Sequence, residues 1–141
     1  MNLPKIEVKL ESRKRKYLIN GEQVKTKSGG KLGCRPKVFL PELGIVIKFN
    51  ARWKRHAHND EEFYNKLSEN DKQYFPKLIC QTKDYTIHEY VPHVKAKVNS
   101  EEDWLAEHLA HKYGIGDYHI WQIGKRLDNG ELVFFDYGFS G

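Results

Sequence analysis

The sequence is poor in sulfur, with two cysteines and one methionine in 141 residues. Cys34 and Cys80 form no Cys-x-x-Cys pair and no zinc-ligand spacing, which excludes a cysteine-built zinc site. One disulfide stays open on sequence grounds, and free thiols in a reducing, cytoplasmic setting are the simpler expectation. No stretch approaches the ~18 apolar residues that a membrane span requires. No apolar run follows Met1-Asn2-Leu3-Pro4-Lys5, so neither a membrane segment nor a signal peptide is expected. Internal repeats and low-complexity tracts are also missing. Hydrophobic residues make up only 39% against 30% charged, which implies a small core under a heavily charged surface. Aromatic residues, at 13%, argue against a disordered chain, and the length is that of one domain.

What is present begins with charge. Twenty-four Lys and Arg stand against nineteen Asp and Glu, a net +5. A basic surface favours anionic partners: nucleotide phosphates, nucleic acid or an acidic protein. The densest run, Arg13-Lys14-Arg15-Lys16, reads as a solvated strand end or loop.

Periodicity supplies the elements. Ile6, Val8 and Leu10 alternate with charged residues, the pattern of a half-buried strand. Tyr17-Leu18-Ile19, Asn20-Gly21 and Glu22-Gln23-Val24 read as a hairpin, because Asn-Gly supplies the two positive φ angles of a tight turn. Strands are expected at Val38–Leu40 and Ile45–Phe49, around the turn Pro41-Glu42-Leu43-Gly44. A helix from about Asn59 to Leu67 has Asn59 or Asp60 as cap and Phe63, Tyr64 and Leu67 on one face. Leu78-Ile79-Cys80 and Tyr85 to Val91 read as two more strands. Ser100-Glu101-Glu102-Asp103 opens a second helix like a capping box, with Trp104, Leu105, Leu109 and Ala110 as its apolar residues and Gly114 as its stop. A last hairpin turns at Asp128-Asn129-Gly130 and continues into Leu132-Val133-Phe134-Phe135.

Several residues stand in positions that suit phosphate chemistry. Lys48 interrupts the apolar run Ile45-Val46-Ile47-Lys48-Phe49 and follows the glycine-rich stretch Gly29-Gly30-Lys31-Leu32-Gly33. Glycines such as Gly30 and Gly33 let backbone N–H groups approach phosphates, and Lys31, Arg35 and Lys37 add positive potential. A plain solvent-facing lysine is the other reading of Lys48, since strand residues alternate faces. Glu61 and Glu62 lie on the following helix, where a carboxylate would orient the lysine or simply enrich the first helical turn. Near the C-terminus, Asp117 precedes Gln122 by five residues, and the hairpin then leads to Asp136-Tyr137-Gly138.

This order resembles the protein-kinase-like superfamily, where a catalytic-loop Asp, an Asn five residues on, a short hairpin and Asp-Phe-Gly follow one another. The resemblance runs from about Gly29 to Gly138 and is nearest to the compact kinase-like proteins of bacteriophages and to the aminoglycoside-phosphotransferase branch. It implies an α+β, protein-kinase-like domain spanning 1–141. An antiparallel-sheet N-terminal lobe with one helix and a hinge would occupy about 1–91, and a minimal C-terminal lobe about 92–141. It further implies ATP and magnesium as cofactors and transfer of the γ-phosphate to a hydroxyl of a protein, such as a host protein, or of a small molecule. Gly30, Gly33, Lys48, Glu89 and Val91 would contact the nucleotide, and Glu62 or Glu61 would orient Lys48. Asp117 would act as base, with Asp136 and Gln122 as metal ligands. Gln122 departs from the family's Asn by one methylene. The chain also stops three residues after Gly138, short of the family's usual peptide-binding block.

Two further readings stay open. One is a pseudokinase that grips a partner protein. The other is a basic nucleic-acid-binding module, in which Trp53 between Arg52 and Lys54 would stack on bases. The histidine pairs His56/His58 and His108/His111 match no common zinc motif and read as surface positions.

Overall fold

The computed structural model describes residues 3–12, 14–26, 36–49, 60–94, 97–114 and 123–134. Alternating strands make the first sheet. β1 (Ile6–Glu11) pairs antiparallel with β2 (Lys14–Ile19), placing Ile6 opposite Ile19 and Val8 opposite Tyr17. Those four share one face, and Glu7, Lys9, Glu11, Lys14 and Lys16 share the other. β3 (Glu22–Gln23) returns against β2 through Asn20 and Gly21, whose φ angles of 53° and 82° are those the hairpin requires. Leu10, expected beside Ile6 and Val8 on the half-buried face, is instead 71% exposed. It lies toward the open end of the hairpin, outside the packed cluster that takes in Ile6, Val8 and Tyr17.

The second sheet is antiparallel, in the order β4 (Lys37–Leu40), β5 (Ile45–Phe49), β7 (Tyr85–Glu89), β6 (Leu78–Gln81). The expected turn between β4 and β5 is one 3-10 turn, Pro41–Leu43, closed by Gly44 at φ 68°. β6 turns into β7 over Thr82, whose hydroxyl oxygen accepts the N–H groups of Asp84 and Tyr85 at 3.2 Å each. β5 is flanked on both sides and buried along its whole length. Its Ile45, Ile47 and Phe49 enter a core with Ile19, Val38 and Ile87, which the apolar face of the first sheet covers. The Tyr17 ring sits 4.3 Å from that of Phe49, centroid to centroid.

A second core joins α1 (Asp60–Lys66), α2 (Glu101–Lys112) and the hairpin of β8 (Ile123–Lys125) and β9 (Leu132–Phe134). Phe63 and Leu67 come from or just beyond α1, Ala106 and Leu109 from α2, and Ile123 and Phe134 from the hairpin. Phe75 stands at its centre, edge-on to Phe63, Phe134 and Tyr113 at centroid distances of 5.7, 6.4 and 6.3 Å. Edge-to-face rings add about 0.5–1.5 kcal/mol per pair beyond their burial.

The start of α2 forms as its sequence requires. Ser100 Oγ accepts the Asp103 N–H at 3.3 Å, and the Asp103 carboxylate accepts the Asn99 N–H at 2.9 Å. Trp104, expected on the apolar face, is 57% exposed. The buried stripe is Ala106, Leu109 and Ala110, and two residues of helical rotation turn Trp104 away from it. The first strand of the final hairpin ends at Lys125, and Leu127 is exposed in the connection. The architecture is α+β with antiparallel sheets. Among the described residues, no helix is long and apolar enough to cross a membrane.

Candidate functional site

Strand register places Lys48. It lies opposite Lys37 on β4 and opposite Thr86 on β7, and Thr86 lies opposite Gln81 on β6. Residues directly opposite in antiparallel strands share a face, so Lys37, Lys48, Thr86 and Gln81 form one polar row across the sheet. This is the face turned away from Ile45, Ile47 and Phe49. Lys48 does not reach open solvent there: it is 8% exposed, beside Thr86 at 0%. Val46 and His88, opposite each other two residues along, continue the same buried face. The solvent-facing reading of Lys48 is thereby corrected, because both faces of its strand are covered.

Two lysines side by side on one face repel unless negative charge is near. Lys37 and Lys48 lie side by side on one face of the second sheet.

At the far end of the row, Gln81 Oε1 accepts the Glu61 N–H at 2.8 Å and holds the first turn of α1 to the sheet. Glu61 and Glu62 are both exposed. The ion pair described for Glu62 is with Lys66, one turn on, at 3.4 Å.

Glu89 ends β7, and the strand's continuation is tied down at once. The Glu89 N–H donates to the Lys77 carbonyl at 2.9 Å, and the Tyr90 N–H to the Gly44 carbonyl at 2.8 Å. Val91 is buried at 4% exposure, and the Phe39 ring meets the Tyr90 ring edge-on at 6.3 Å. The Glu89 carboxylate turns to Arg126, which donates from Nη2 at 2.8 Å and from Nε at 3.1 and 3.2 Å. Burial pushes the Glu89 carboxyl up. Hydrogen bonds from Arg126 and the Lys77 N–H, with the Arg126 charge, outweigh burial and hold it below the usual carboxylate range.

Two polar centres lie outside the sequence-based expectations. Arg126 is one. The other is Asp71, 7% exposed, whose carboxylate accepts from the Tyr113 hydroxyl and from Lys112 Nζ at 2.7 Å. Hydrogen bonds from Lys112, Tyr113 and Ser68, over a smaller opposing effect of burial, lower its pKa. The Glu89 partner of Arg126 and the Lys112 and Tyr113 partners of Asp71 lie 37 or more residues away along the chain, so no local pattern marks these pairings.

Gly30, Gly33, Asp117, Gln122 and Asp136, with the Asp136-Tyr137-Gly138 turn, lie outside the described residues, as do His56, His58 and Trp53. Among the described residues, no three His, Cys, Asp or Glu side chains come together to hold a metal ion. The described part thus brings Lys37, Lys48, Thr86 and Gln81 into one row across the second sheet. Lysines of the first sheet are interleaved with acids: Lys16 of β2 pairs with Glu11 of β1 at 2.6 Å, and Lys5 and Lys9 flank Glu7 at 3.2 and 3.6 Å. Comparison with protein-family models, curated proteins and solved structures finds no match.

Proposed function

We propose that the chain is an ATP-dependent phosphotransferase of the protein-kinase-like fold, with ATP held beneath the second sheet. The observation that carries this reading is Lys48: a cation buried mid-strand, opposite Lys37, one strand from the β7 end where Glu89–Val91 begins. The order of elements supports it as well. The strand of Lys48, the helix of Glu62, a strand pair ending at Glu89, a further helix and a last hairpin follow as the resemblance implies.

In this reading Lys48 binds the phosphates, with Lys37 adding potential, and the Glu89–Val91 segment borders the base. Asp117 accepts the proton of the acceptor hydroxyl. That oxygen forms its bond to the γ-phosphorus as the bond to the β-phosphate oxygen breaks and ADP leaves. Asp136 and Gln122 would hold a magnesium ion, which would supply neutralisation of phosphate charge. The acceptor is a hydroxyl of a protein or of a small molecule.

ATP binding with and without magnesium, on the parent, Lys48→Met and Asp136→Ala, tests the proposal. Expected is binding by the parent, its loss in Lys48→Met, and loss of the magnesium-linked part in Asp136→Ala. No binding by the parent at millimolar ATP would sink it. Binding without γ-phosphate loss to water or to any acceptor would reduce the protein to a nucleotide-binding scaffold.

A further inference from the structure

β1 stands at the edge of the first sheet, and among the described residues no strand pairs with its outer side. The register says which backbone groups face that edge. The Lys5 carbonyl accepts the Asn20 N–H at 2.7 Å, and the β1–β2 pairing runs on from there without a break. Glu7, Lys9 and Glu11 therefore turn their N–H and C=O groups to β2, because such groups alternate sides along a strand. The Tyr17 carbonyl accepts the Val24 N–H at 2.9 Å, which turns Tyr17 toward β3 and agrees with this phase. Ile6, Val8 and Leu10 thus present theirs at the outer edge, a template for a further strand.

The side chains of β1 narrow the choice of that strand. Ile6 and Val8 pack against the core, while Leu10 on the same face is left 71% exposed. On the other face Lys5, Glu7, Lys9 and Glu11 alternate in sign, with Glu7 within 3.2 Å of Lys5 and 3.6 Å of Lys9. A second copy of β1, laid antiparallel on this edge with Val8 on the two-fold axis, suits both faces. Ile6 then faces Leu10 of the second copy, Glu7 faces its Lys9, and Lys5 faces its Glu11, each contact occurring twice. The outward N–H and C=O groups of Ile6, Val8 and Leu10 all find partners in this register. Moving the copy by two residues sets Glu7 against Glu7 or Lys9 against Lys9. Moving it by one sets apolar residues against charged ones and puts the backbone groups out of phase. A lysine on an edge strand ordinarily repels an added strand. Here Glu7, two residues from Lys9, answers it across the axis.

We infer that the β1 edge is a self-association surface. Two copies of this chain pair β1 with β1 about Val8, join their first sheets into one, and cover Leu10 with Ile6 of the second copy. The contact is independent of the nucleotide reading, since it lies on the sheet that does not carry Lys48.

The test is sedimentation equilibrium on the full chain from about 1 μM to about 1 mM, the range in which so small a contact associates. The samples are the parent, Glu7→Lys, Lys9→Glu, the double variant carrying both changes, and an equimolar mixture of the two single variants. Expected is a dimer in the parent, weakened about tenfold in each single variant, because each sets like charges opposite one another twice. The double variant and the mixture both restore opposite charges at these contacts, and both should return to within about threefold of the parent. A parent that stays monomeric over the whole range overturns the inference and leaves the edge to a strand of another protein. A dimer that ignores the single reversals, or a mixture that gains nothing, puts the association on another surface and overturns it equally. Amide exchange in the parent decides the matter even where a variant fails to fold. Exchange at Ile6, Val8 and Leu10 should slow as the dimer forms, and unchanged exchange at all three refutes the pairing.

Discussion

Replacing Asp71 tests how α2 is anchored. The residue sits in the 3-10 turn Asp71–Tyr74 between α1 and β6, and it receives the last turn of α2 through Lys112 and Tyr113. Its own N–H donates to Ser68 Oγ at 3.1 Å and to the Ser68 carbonyl at 3.0 Å. In Asp71→Ala the backbone bonds can persist, but the carboxylate is gone and the partly buried Tyr113 hydroxyl loses its acceptor. Hydrogen bonds to a buried charge contribute about 1.5–3 kcal/mol, so a loss of about 2–3 kcal/mol is expected. Lys112 is half-exposed and returns to water, so its share is small. With a urea slope of about 2 kcal/mol/M for a chain of this size, the midpoint should fall by about 1–1.5 M.

The pH dependence gives a second, sharper arm. Asp71→Asn keeps an acceptor for Tyr113 and removes only the charge, so it should lie between parent and Asp71→Ala at neutral pH. The folded-state pKa of Asp71 is lowered relative to an unfolded value of about 3.9. The charge-dependent stability is therefore fully present above the unfolded pKa and is lost as pH falls through the folded one. The gap between parent and Asp71→Asn should stay constant from pH 7 to about 5 and close as the solution is acidified below the unfolded value of about 3.9. A cost of Asp71→Ala below about 1 kcal/mol, or a gap that persists unchanged at the acid end, would refute the anchoring argument.

Ser100→Ala removes the hydroxyl that accepts the Asp103 N–H and should destabilise α2 by about 1 kcal/mol, read as a lower urea midpoint with unchanged slope. Gly21→Ala forces a side chain into φ 82°, where nothing crowds the added methyl; the backbone alone should cost about 1 kcal/mol in the same assay. A neutral result there would mean that the β2–β3 turn relaxes to another form.

Local chemistry was readable before any fold was known. The Asn20-Gly21 turn, the Pro41–Gly44 turn, the cap at Ser100 and the strand of Ile45–Phe49 all appear where the sequence predicts them, because each depends on neighbours within a few residues. Periodicity was less certain at the margins. Leu10 and Trp104 belong to the right elements yet point to solvent, since burial depends on what lies opposite, and a one-chain pattern does not contain that.

Lys48 shows the division most clearly. The sequence by itself put a lysine in an apolar strand and left two faces open to it. Only the tertiary structure buried that lysine, and the pairing of β5 with β4 and β7 set Lys37 and Thr86 beside it. The same holds for Glu89 with Arg126 and for Asp71 with Lys112 and Tyr113. Those pairings join chain segments far apart in sequence, so they exist only once the two cores have brought the segments within hydrogen-bonding reach.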